Sequence, residues 1–167
     1  MIILITGATH TGKTLLAGKL SQKYNYPYIS LDLLKMGLMR SGKTNLRPTD
    51  ADEDITEYLW PIVREMIKTA MENEQDLIIE GCYIPFDWMD DMPIGYIGKI
   101  KYICLIMSEQ YINTHFDDII KYENVAEKRM FPESVIKPQL IAENNYNLEM
   151  CLKYGLKYIL IDKDYEL

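Results

Sequence analysis

Cysteine, histidine and arginine are scarce in this chain, and no apolar run is long. The three cysteines, Cys82, Cys104 and Cys151, are odd in number and far apart in sequence, with no metal-ligand spacing. That excludes a disulfide framework and a zinc site, and predicts reduced core thiols. The longest apolar stretches, Met1 to Ile5 and Tyr102 to Met107, fall far short of the roughly 20 residues of a membrane-spanning helix. No basic region precedes the first apolar run, which gives way to Thr6 and Gly7, unlike a secretion signal. A cytoplasmic protein is expected. Positive charge is also in deficit: 18 Lys and Arg against 25 Asp and Glu leave a net charge of −7. Such a balance disfavours partners bound through a polyanionic backbone or an anionic membrane surface.

What is present is an ordinary globular composition, 48% hydrophobic and 26% charged over 167 residues. That length fits a single domain, residues 1–167. Ile2 to Ile5 is short, apolar and β-branched, as a strand buried on both faces requires. Similar runs recur at Pro27 to Ser30, Leu77 to Ile79, Tyr102 to Met107 and Tyr158 to Ile161. Between them, helical periods predict helices over 13–24, 32–41, 52–73, 108–123 and 133–153. In the third, Ile55, Leu59, Ile62, Met66 and Ala70 form the expected apolar stripe, and Pro61 is expected to kink it. Gly155 stands where a helix C-cap belongs. Strands alternating with helical crossovers predict an α/β fold: a parallel sheet, helices on both faces, and ligand sites at the carboxyl ends of the strands. The segment at about 122–138, broken by charges and two prolines, is a candidate lid.

Gly7-Ala8-Thr9-His10-Thr11-Gly12-Lys13-Thr14 fits the phosphate-loop pattern. Its glycines let backbone N–H groups turn inward around phosphate oxygens, and the helix that follows presents its positive end to the same anion. Lys13 would reach the β and γ phosphates of ATP, and the Thr14 hydroxyl would coordinate Mg2+. The sequence carries its own control, because Gly37-Leu38-Met39-Arg40-Ser41-Gly42-Lys43-Thr44 matches the same pattern. Only the first match leaves a buried strand and enters an amphipathic helix; the second is read as coincidence.

With this motif and order of elements the chain resembles the P-loop small-molecule kinases: nucleoside monophosphate kinases, shikimate kinase, and bacterial proteins similar to adenylate kinase or 2-phosphoglycerate kinase. The resemblance implies a three-layer fold with a five-stranded parallel sheet in the order 2-3-1-4-5. It also implies ATP, Mg2+ and transfer of the γ-phosphoryl group to a small-molecule acceptor, either a nucleotide or a hydroxylated metabolite. A nucleotide-binding module without transfer chemistry is the alternative.

Glu80 looks like the acidic residue that ends the third strand in such kinases and holds magnesium through water; otherwise it is a surface acid at a strand end. Asp32 occupies the place from which the family sets a carboxylate near the acceptor. There it either orients or deprotonates an acceptor hydroxyl or caps the following helix, a task for which Ser30 competes. Of the four arginines, Arg40 matches the acceptor-gripping region and Arg129 the lid position, where a guanidinium would stabilise charge on the transferring group. Arg64 is expected on a solvated face. His10, though within the phosphate loop, and His115 are read as structural. The loop Cys82 to Trp88 should line the acceptor pocket or pack in the core, with the acceptor between Asp32, Arg40 and Tyr83. It lacks the arginine that adenylate kinase carries there, which weakens the case for a nucleotide acceptor.

Overall fold

The computed structural model describes residues 1–122 and 135–165. Five strands, β1 (Ile2–Gly7), β2 (Tyr28–Ser30), β3 (Leu77–Glu80), β4 (Ile100–Met107) and β5 (Tyr158–Ile161), form one parallel sheet in the order β2-β3-β1-β4-β5. β1 lies at its centre, with Ile3 opposite Ile78 on β3 and Lys101 on β4. All of Ile2 to Gly7 is buried, as its unbroken apolar pattern requires.

Alternation along the strands divides the core. Ile2 and Leu4 of β1, with Leu77 and Ile79 of β3, face a large cluster that includes α3 (Asp52–Glu72). Ile3, Ile5 and Ile78 face Leu16 and Ala17 of α1 (Lys13–Tyr24) on the other side. The outer strand is less covered, and Tyr158, Ile159 and Leu160 of β5 remain exposed. The remaining helices are α2 (Leu31–Arg40), the short α4 (Ile94–Ile97), α5 (Glu109–Lys121) and α6 (Lys137–Tyr154). α6 ends on Gly155 at φ 63°, the left-handed cap expected of it.

One helical expectation needs correction. α3 continues through Pro61, and its buried face is Ile55, Leu59, Val63, Ile67 and Ala70, with Trp60 beside them. Ile62 and Met66, expected in the stripe, are only partly buried. In α2, Leu33 is exposed while Lys35 is buried, so the buried face of the helix carries a charge within its apolar stripe. The thiols of Cys104 on β4 and Cys151 on α6 are buried and hydrogen-bonded to each other, and all three cysteines are free. Among the described residues no helix is long and apolar enough to cross a membrane.

Candidate active site at the carboxyl ends of the strands

β1 ends in the phosphate loop, and α1 begins where the loop ends. Gly7 sits at φ 140°, and a Cβ there would lie 2.3 Å from the Leu105 carbonyl oxygen of β4. Only glycine allows the loop to leave the sheet this close to its neighbour. Gly12 caps α1 in the left-handed conformation with no side-chain cap, so the first N–H groups of α1 are left for a ligand. His10 also takes a positive φ, 63°, and its Nδ1 lies 2.9 Å from the Thr9 hydroxyl. Thr11 is wholly buried and donates its hydroxyl proton to the Ala8 carbonyl at 2.8 Å, bracing the loop from within. Tyr165 braces it from outside, its hydroxyl donating to the Thr11 carbonyl at 3.1 Å. The competing match at Gly37 to Thr44 is the end of α2 and an exposed turn, with no strand before it and no helix directly after.

Lys13 is 8% exposed, and its Nζ donates to the Ala8 carbonyl of its own loop at 2.8 Å. Burial works against its charge, but Cys82, Glu80 and Asp32 around it more than offset that and lift its pKa above the ordinary lysine value. Lys13 of α1, Asp32 of α2 and Glu80 of β3 are thereby close enough to act on one charge. Burial raises the Cys82 thiol in turn, while the Lys13 ammonium beside it pulls the other way.

The loop opens into a cleft of about 2030 Å³, bordered by Gly7, Lys13, Thr14, Asp32, Glu80 and Tyr83 among others. Glu80 is 2% exposed, which removes the reading of it as a surface acid. Asp32 lies in the first turn of α2, behind the N-cap residue Ser30, and instead of capping the helix it pairs with Lys35 at 2.8 Å. Arg40 borders the same cleft from the exposed end of α2. Arg64, expected on a solvated face, is partly exposed; it borders the cleft and bonds Asp91 at 3.3 Å and Glu65 at 3.0 Å. Trp60 also holds Asp91, its Nε1 donating at 2.7 Å. Arg129, and residues 123–134 of the expected lid, lie outside the described residues.

Among the described residues no three His, Cys, Asp or Glu side chains cluster as a metal cage. Magnesium needs none, since it is typically held by one or two protein oxygens, water and substrate phosphates. Thr14 and the buried carboxylate of Glu80, facing one cleft beside the loop, fit that pattern.

The sequence reading missed Lys35. Its Nζ donates to the Tyr83 hydroxyl at 2.6 Å as well as to Asp32 Oδ1, and it lies 4.7 Å from the centre of the Tyr83 ring. Burial opposes its charge, yet bonds to Asp32 and Tyr83 raise its pKa well above the usual lysine range. The Tyr83 phenol is pushed up to about 12, mainly by burial. A signal was present: Lys35 shares the face of α2 that carries Leu31, Leu34 and Leu38, a charge inside an apolar stripe. Tyr111 and His115 of α5, the latter read as structural, stack at 4.4 Å on the border of the cleft, where His115 departs from helical geometry.

No family model and no curated protein matches this chain. Solved structures do. A shikimate kinase from Bacteroides thetaiotaomicron is 17% identical, with 97% of this chain and 86% of that one aligned at a TM-score of 0.51. An uncharacterized protein from Eubacterium ventriosum gives 17%, 98%, 89% and 0.51 in the same order, and a protein inferred to be a kinase from Chloroflexus aurantiacus 16%, 96%, 86% and 0.55. Identity this low speaks to fold alone, and with the strand order β2-β3-β1-β4-β5 it establishes the three-layer α/β architecture of the P-loop nucleotide-binding proteins.

Proposed function

We propose that this chain is a kinase that moves the γ-phosphoryl group of ATP to a small-molecule acceptor. The observation that carries the reading is a buried Lys13 at the foot of a glycine-shaped loop, with Glu80 and Asp32 close enough to act on its charge, all in one cleft. A shikimate kinase shares the fold.

In this reading the loop amides and the N-terminus of α1 hold the phosphate chain, and Lys13 gives up the Ala8 carbonyl to reach it. Thr14 and Glu80 would hold Mg2+, which supplies neutralisation of phosphate charge when bound. Asp32 orients the acceptor hydroxyl and takes its proton. Arg40 stands where it can meet the acceptor, and Arg129 is assigned to the transferring group. Catalysis is then mostly positioning and charge compensation.

The test is ATP turnover by wild type and Lys13→Ala with a panel of hydroxylated metabolites and nucleoside monophosphates, alongside calorimetric ATP binding. Loss of this cation should lower turnover roughly 100-fold or more. Unchanged turnover would discard the mechanism. Tight ATP binding with no transfer to any acceptor would instead identify a nucleotide-binding module.

A further inference from the structure

Lys35 has no task in the phosphoryl-transfer reading, yet two side chains hold it at the cleft. It is 6% exposed and still borders the cavity. A lysine ammonium carries three N–H donors. Asp32 Oδ1 takes one at 2.8 Å and the Tyr83 hydroxyl a second at 2.6 Å. The third has no partner among the described residues. Tyr83, accepting from Lys35, keeps its own O–H proton to donate. Asp32, its side chain 40% exposed, keeps acceptor capacity toward the cleft.

α2 and the loop after β3 therefore set side by side an ammonium donor, a phenol donor and a carboxylate acceptor whose formal charges cancel. Three kinds of guest meet such a centre differently. A carboxylate or phosphate only accepts, and it reaches Lys35 by bringing a second negative charge against Asp32. An amine meets Asp32 but also the Lys35 ammonium. A hydroxyl both donates and accepts, so two adjacent hydroxyls satisfy the centre completely, one donating to Asp32 while its neighbour accepts from Lys35 or Tyr83. Apart from Arg40 at its exposed edge, the rest of the cleft points the same way. Carboxylates outnumber cations among its described bordering residues, and Arg64 is already held by Asp91 and Glu65. Phe86 and Tyr146, edge to face at 5.9 Å, give the cavity an aromatic wall of the kind that packs against the C–H face of a sugar.

We propose that Asp32, Lys35 and Tyr83 form a recognition centre for a neutral polyol or sugar bearing adjacent hydroxyls, with Lys35 setting the preference over carboxylated and phosphorylated analogues. The inference rests on the kinase reading for the role of its guest as acceptor, and its test is a binding measurement that needs no turnover. Calorimetry with the full chain, Mg2+ and a non-hydrolysable ATP analogue would compare glucose, ribose and inositol with gluconate, glucose phosphate, ribose phosphate and inositol phosphate.

A neutral member should bind about tenfold or more tightly than its charged counterpart, and Lys35→Met should weaken it about tenfold, the value of a hydrogen bond to a charged group. Lys35→Gln, which keeps an N–H donor, should recover part of the loss, and affinity for the ATP analogue should stay unchanged in both variants. Thermal melts establish that the variants fold, and the wild-type ranking stands without them. Tighter binding of a charged member, equal binding by Lys35→Met, or no binding by any of the neutral probes overturns the proposal. Transfer of phosphate to an anionic acceptor would refute this inference and leave the kinase reading intact, whereas failure of ATP to bind would refute the kinase reading without touching the polyol ranking.

Discussion

Gly7→Ala and Gly18→Ala are the same chemical change, and the structure requires them to act in opposite directions. At Gly7 the new methyl would lie 2.3 Å from the Leu105 carbonyl oxygen, against 3.4–4 Å for ordinary contact, at a φ of 140° that L side chains rarely adopt. Leu105 is the residue opposite Gly7 in the β1–β4 pairing, so neither partner can withdraw without opening the centre of the sheet. Backbone strain of about 1–3 kcal/mol and overpacking of about 1–3 kcal/mol add to a central value of about 4 kcal/mol. For a domain of this size that lowers the melting temperature by roughly 8–16 °C. Gly18, inside α1, has nothing within 4 Å of an added Cβ. There alanine should stabilise by about 0.5–1 kcal/mol, raising the midpoint by roughly 1–4 °C. Calorimetric melts of the three proteins at one pH decide it, with ATP affinity as a second readout that should fall for Gly7→Ala alone. A Gly7→Ala protein that melts within about 2 °C of wild type, or binds ATP equally well, would show that the loop does not leave the sheet as described.

Two further perturbations probe the surroundings of the site. The Tyr83 phenol, raised to about 12, holds its proton more tightly in the folded chain than at the ordinary value of about 10. It thus contributes stability that is complete below pH 10 and is lost as pH rises toward 12. Tyr83→Phe should show a shallower decline in urea midpoint across that interval, and parallel declines would contradict the assignment. Asn144, wholly buried on α6, accepts from the Met107 N–H at 2.7 Å and donates to the Leu140 carbonyl at 2.8 Å. Asn144→Leu leaves the Met107 N–H buried without its partner, at a cost of about 1–3 kcal/mol. Urea denaturation measures this, and unchanged stability would mean that the end of β4 is not tied to α6 in this way.

How much was legible beforehand follows from how local each determinant is. β1, the phosphate loop and α1 are contiguous, and each is set by residues within a few positions, so strand, turn and helix could be read together. Glu80 was legible for the same reason, as the last residue of an apolar strand. The strand order was not written in any periodicity; it came with the family resemblance. The stripe of α3 was misphased because Ile62, Val63, Met66 and Ile67 are all apolar and both sets fit a helical repeat. Only the placement of the sheet decides for Val63 and Ile67.

The residue that escaped is the one whose environment is least local. Tyr83, the partner that makes burial of Lys35 tolerable, is 48 positions away along the chain, and the loop carrying it comes alongside α2 only once β3 has paired with β2. A charge within an apolar stripe is locally unfavourable, because an ammonium taken from water must recover strong partners or be expelled. Two outcomes were open: a helix rotated to expose Lys35, or a fold that supplies the partners. α2 takes the second, leaving Leu33 73% exposed while Lys35 is buried. Solvation of a leucine is thereby worsened to keep a lysine at the cleft, the reverse of what α2 alone would favour. Such a local conflict persists where the surroundings compensate it, and the place it marks is the α2 side of the cleft rather than the glycine loop.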